Sequence, residues 1–134
     1  MNKKQASFFV GVLLILVFLH FISIQFELYF YLPWLDIPMH FLGGFSLGIL
    51  GICLTIKFGL SKEISGVLIV TIAVFTALLF GVLWEIFEFN SEAMFGFEWA
   101  EITNGRDTFS DLFCDLLGSC VGAVYFLVTK NKHP

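Results

Sequence analysis

The chain has 134 residues, of which 58% are hydrophobic and 13% charged, with a net charge of -4. A soluble domain carries about 25% charged residues, so water is not the main solvent here, and nothing basic enough to hold nucleic acid is present. The length fits one domain, 1–134, with no room for a soluble appendage larger than a loop.

A bilayer core of about 30 Å takes about 20 apolar residues as helix. The first such run covers 6–24 and follows Lys3 and Lys4. It is longer than a signal-peptide core, and Ile22-Ser23-Ile24-Gln25-Phe26 has no small-x-small cleavage pattern, so it reads as an uncleaved membrane helix. His20 lies near its end, either as a hydrogen-bonded packing residue or as a member of the polar site described below.

Pro33 and Pro38 bracket Trp34 and Asp36, which predicts a turn or short interfacial stretch over 25–36. The second helix is predicted over 38–56, the third over 64–89 and the fourth over 109–128. Gly44-x3-Gly48 in the second and Gly118-x3-Gly122 in the fourth put small residues one turn apart, where backbones can approach closely. They favour a compact bundle, with homodimerisation through one of these faces as the alternative. Cys53, Cys114 and Cys120 fall in apolar runs without metal or redox spacing and read as packing residues. The fold class is therefore all-α: a polytopic membrane protein of four transmembrane helices.

Lys3, Lys4, Lys57, Lys62, Lys130 and Lys132 flank one side of these helices, leaving Arg106 alone on the other. Cytoplasmic loops retain positive charge, so both termini are expected in the cytoplasm, with the protein in the cell (inner, cytoplasmic) membrane. Phe26, Tyr29, Tyr31, Trp34 and Trp99 ring the opposite side, as aromatic belts do at headgroup level.

Ten of the eleven acidic residues then fall at the non-cytoplasmic end, all but Glu63. Glu27, Glu92, Glu98 and Glu101 read as solvated loop residues. Asp36 and His40 are four apart, Glu85 and Glu88 three apart, and Asp107, Asp111 and Asp115 successive fours, spacings that share a helical face. Antiparallel helices bring the three sets to one depth. Asp36 and Asp107 are also placed to N-cap their helices. Asp111, Asp115, Glu85 and Glu88 are not explained that way, and each intramembrane carboxylate costs about 2.5–3.5 kcal/mol on insertion scales. Protonation, a bound metal or a wet cavity must compensate. Oxygen-rich ligation with one imidazole suits Mg2+, Mn2+ or Zn2+, and the expected ligands are His40, Glu85, Glu88, Asp111 and Asp115, supported by Asp36 and Asp107.

The strings Asp36-Ile-Pro-Met-His40-Phe-Leu-Gly-Gly, Trp84-Glu85-Ile-Phe-Glu88-Phe and Asp107-Thr-Phe-Ser-Asp111-Leu-Phe-Cys-Asp115-Leu-Leu-Gly118 resemble the YjdF-like family of bacterial inner-membrane proteins. They are more distantly similar to the VanZ-like family associated with teicoplanin resistance. The VanZ-like pattern has lysine at Ile37, glutamine at Glu88 and asparagine at Asp115. The YjdF-like pattern fits better, although those proteins tend to be longer. The resemblance implies a membrane-embedded site.

Two functional expectations follow. In the first, a carboxylate-held divalent ion neutralises a lipid- or polyprenyl-linked phosphate at the outer leaflet, with Glu85 or Glu88 as general base and Arg106 as phosphate contact. In the second, a non-enzymatic protein binds a cation or proton, as a transporter-like protein or an antibiotic-tolerance factor does. The plainer alternative is a structural polar knot. Interhelical hydrogen bonds average only about 0.6 kcal/mol, too little to offset so many carboxylates.

Overall fold

The computed structural model describes residues 3–59, 65–95 and 105–130. Among them the regular secondary structure is all helix: α1 (Lys3–Gln25), α2 (Leu28–Tyr31), α3 (Asp36–Lys57), α4 (Gly66–Phe95) and α5 (Gly105–Lys130). Four of the five are long and apolar enough to cross a membrane, over Ser7–Gln25, Asp36–Lys57, Gly66–Asn90 and Thr108–Thr129. α4 continues to Phe95, and Asn90 within it turns its side chain back on the helix, donating from Nδ2 to the Ile86 carbonyl at 2.6 Å.

α3 is the central helix, packed against α5, α4 and α1. The α3–α5 seam is the closest, and the two glycine pairs explain it. A Cβ at Gly44 would strike the backbone carbonyl of Asp115, and one at Gly118 would strike that of Phe41. Gly122 stands over the Phe45 carbonyl and Gly48 over Ser119 and Ala73. The two motifs thus face each other inside one chain, so these glycine faces are not open to a second copy. Toward the other end of the bundle, buried Ile52, Ile69, Ala73 and Ala123 form the apolar core, with Ile72, Phe126 and Leu127 packed on it. Cys53, Cys114 and Cys120 form no disulfide and are half-buried, as packing residues are.

Two local expectations need correction. Asp36 does not cap α3: the cap position is Leu35, with no side-chain cap bond, and Asp36 is the first helical residue. Pro38 sits within the first turn, where a missing N–H costs nothing, so the helix starts two residues before the predicted 38. The stretch over 25–36 contains the single turn α2, entered through Glu27 in the left-handed region at φ 53°. That turn carries Tyr29 inward, where it is buried, rather than outward in an aromatic belt.

Candidate functional site

α3, α4 and α5 bring their acidic groups to one end of the bundle. Because Asp36 and His40 are one turn apart on α3, and Asp111 and Asp115 one turn apart on α5, a close seam sets two pairs opposite each other. His40 (7% exposed), Asp111 (3%) and Asp115 (3%) are buried. His40 Nε2 lies 3.7 Å from Asp36 Oδ1, and His40 Nδ1 lies 3.4 Å from Asp115 Oδ2. The imidazole therefore has a carboxylate at each nitrogen.

Asp36, His40 and Asp111 each offer one ligand atom, and these atoms all lie within 4.8 Å of one another, the one such group of three among the described residues. Two atoms each about 2.0–2.2 Å from a common ion are at most about 4.4 Å apart. Convergence on an ion therefore needs only a small adjustment of side chains. Asp115, one turn deeper, is placed to orient His40 rather than to complete that trio.

The notch that admits Asp115 is on α4. A Cβ at Gly81 would collide with its Oδ2 and come within 3.0 Å of Leu112 Cδ2. Glycine at 81 is what lets a carboxylate sit between α3, α4 and α5. Gly43, by contrast, is open: a Cβ there would meet only Asp115 Oδ1, at 3.9 Å.

The glutamates of α4 belong to a neighbouring cluster. Glu88 Oε1 lies 3.5 Å from His20 Nδ1 on α1, and Glu88 accepts a hydrogen bond from the Trp84 side chain. His20 Nδ1 and the Tyr29 hydroxyl are hydrogen-bonded at 2.9 Å, and the phenol also reaches Met39 Sδ at 3.7 Å. The His20 ring meets Trp84 edge-on, centroids 4.7 Å apart. Glu85 Oε1 is buried with no hydrogen-bond partner. Burial, and then the nearby Asp36, push the Tyr29 phenol well above the ordinary tyrosine range.

The structure thus gathers Asp36, His40, Asp111 and Asp115 at one point and sets Glu88 beside His20, while Glu85 and Glu88 stand outside the 4.8 Å trio. The side chains of Arg106 and Asp107 lie outside the described residues. α5 begins at Gly105, so Asp107 is already inside the helix rather than at its cap. Tyr29 and Trp84 were missed as members of the polar region; Trp84 was legible, standing one turn before Glu88 on the same face.

Both clusters open onto a cavity of about 290 Å³ between α1, α3 and α4. His20, Asp36, His40 and Asp115 line its polar end, and Leu13, Leu16, Val17, Leu47 and Phe80 its apolar end. In the other half of the bundle, Thr55 and Thr71 donate to their own helix carbonyls at Gly51 and Val67.

A family model described as "Predicted membrane protein (DUF2238)" matches residues 4–132; this is the YjdF-like family. No curated protein matches the chain, and no solved structure does.

Proposed function

We infer a binding function for this chain, which belongs to the DUF2238 family of predicted membrane proteins. In this reading Asp36, His40 and Asp111 hold a divalent cation, Mg2+, Mn2+ or Zn2+, and the cation receives the phosphate of a lipid- or polyprenyl-linked molecule. The observation that carries the reading is the trio of donor atoms within 4.8 Å, contributed by two helices, with His40 and Asp111 buried and Asp36 half-buried, beside a largely apolar cavity. A buried ion would neutralise carboxylates that otherwise cost several kcal/mol in a membrane. His40 would bind through Nε2 and donate its Nδ1 proton to Asp115, the carboxylate–histidine–metal relay that fixes tautomer and ring orientation.

The lysine distribution supports an orientation with both termini in the cytoplasm, which puts the site at the outer leaflet of the cell membrane. If the bound phosphate is turned over, Glu85 or Glu88 is the candidate base and Arg106 the candidate phosphate contact. Glu88 is the better placed of the two, being linked through His20 and Trp84 to the cavity wall.

The second reading treats His40 itself as the cation, protonated between Asp36 and Asp115, in a proton- or cation-binding protein without chemistry. The carboxylate at each ring nitrogen favours it. A distant VanZ-like kinship would then suit an antibiotic-tolerance factor.

Elemental analysis of the purified protein in nanodiscs, after loading with each cation and exhaustive dialysis, separates the two. One ion per chain, lost in His40→Ala and Asp111→Asn, is the expected result. No retained ion with any of the three cations, together with a nitrogen-15 spectrum showing an imidazolium at His40, would replace the first reading with the second.

A further inference from the structure

We propose that the cleft between α1 and α4 takes a single lipid chain, admitted sideways from the membrane, so that the ligand of the site is an amphiphile rather than a water-soluble phosphate. The proposal rests on the metal-and-phosphate reading for the head of the molecule alone.

The cavity has two ends of opposite character. His20, Asp36, His40 and Asp115 form one, and Leu13, Leu16, Leu47 and Phe80 form the other. His20 and Leu13 are seven residues apart on α1, as are His40 and Leu47 on α3. At 1.5 Å per residue the apolar part therefore runs about 10 Å along the helices from the polar groups. Both walls lie within the candidate membrane spans Ser7–Gln25 and Asp36–Lys57, so this part of the cavity is at hydrocarbon depth.

The lining of the cleft reaches the outer surface of the bundle. α1 is packed chiefly on α3 and α2, and it meets α4 through the side chains of His20, Glu88 and Trp84. Two lining residues, Val17 and Phe80, are 40% and 49% exposed, marking the edge where the cleft meets the surrounding lipid. Apolar cavities stay dry and take apolar guests. At this depth the guest at hand is an alkyl chain, and the polar end fixes where its headgroup stops.

Gly43 supplies the test, because it lines the cavity where the polar and apolar ends meet and a side chain there meets no backbone. Gly43→Leu fills the junction beside Asp115 Oδ1, which a Cβ there meets at 3.9 Å, so it is read together with Leu16→Trp, which fills the apolar end from α1, away from the metal-binding groups. The probe is dodecyl phosphate with a diazirine in its chain, in phosphatidylcholine nanodiscs containing the metal-loaded protein, with diazirine-bearing dodecanol as the matched headless probe. Photolabelled residues are located by mass spectrometry.

Labelling by the phosphate probe should concentrate on Leu13, Leu16, Val17 and Phe80 and fall about tenfold, the equivalent of one decade in affinity, in both variants, each first shown to melt like the parent. Equal labelling of the cleft by both probes would keep the chain site and remove the phosphate from the proposed function. Labelling of lipid-facing Phe75 and Val124 as strong as that of the cleft, or unchanged labelling in both variants, overturns the proposal even where metal binding persists.

Discussion

The carboxylate of Asp115 on α5 occupies the notch left by Gly81 on α4, so that no side chain larger than hydrogen at position 81 leaves room for Oδ2 where it now faces His40. Gly81→Ala should therefore push that carboxylate off the imidazole. Losing the outer partner of a metal-binding histidine typically costs 10–100-fold in metal affinity, and over-packing costs about 1–3 kcal/mol in stability. Isothermal titration with Zn2+ or Mn2+, paired with a melting curve, reads both; an unchanged affinity would show that Asp115 does not orient His40.

Asp111 and Asp115 should respond differently to the same chemical change. Asp111→Asn removes a donor from the trio and should abolish divalent ion retention. Asp115→Asn leaves the trio whole and should weaken binding by about 10–100-fold. Matched losses in the two variants would mean that both carboxylates ligate.

Gly118 and Gly11 give opposite expectations for one substitution. A Cβ at Gly11 meets nothing within 4 Å, and alanine is favoured over glycine in a helix by about 1 kcal/mol, so Gly11→Ala should be neutral or stabilising. Gly118→Ala collides with the Phe41 backbone carbonyl, which cannot rotate away, so α3 and α5 must separate, at a cost of about 1–3 kcal/mol. Thermal unfolding in detergent distinguishes them, and equal melting temperatures would contradict the seam.

Tyr29 should stay protonated where ordinary tyrosines titrate. Burial and Asp36 raise its folded pKa above the usual value of about 10. With the folded pKa above the unfolded one, the fold keeps its full stability below about pH 10 and loses it as the pH climbs toward the folded value. The phenolate absorbance of the native protein and of Tyr29→Phe should therefore coincide through the ordinary tyrosine range. The variant should also be less stable by about 0.5–1.5 kcal/mol for the lost hydrogen bond to His20. A phenolate signal near pH 10 that disappears in Tyr29→Phe would put the ring in water.

Much of this was legible in the residues, and what was not has a physical cause. Length and apolarity define a membrane helix, so the four spans were readable, with helix ends displaced by one to six residues, most at the C-terminus of α4, where the helix runs on past Asn90 to Phe95. The pairing of Asp36 with His40, and of Asp111 with Asp115, followed from four-residue spacing and antiparallel depth. The rotation of α4 did not follow, because a helix surrounded by lipid and apolar neighbours has no single apolar face to fix its angle, and so Glu88 meets His20 rather than the trio. Small-residue pairs announce close packing without naming the partner; here each motif is the other's partner. Tyr29 was hidden because α2 is too short to leave a periodic signal.

The two halves of the site are made at different times. Asp36 and His40 enter the membrane with the second span, whereas Asp111 and Asp115 come with the last. Each of those late aspartates costs about 2.5–3.5 kcal/mol to insert alone, and the imidazole that receives Asp115 is already in place. The final helix thus meets a partner that can help to hold it, beyond its own hydropathy. If so, a nascent chain lacking His40 should lose the last span rather than the first, which an insertion assay with a glycosylation tag after each span would read.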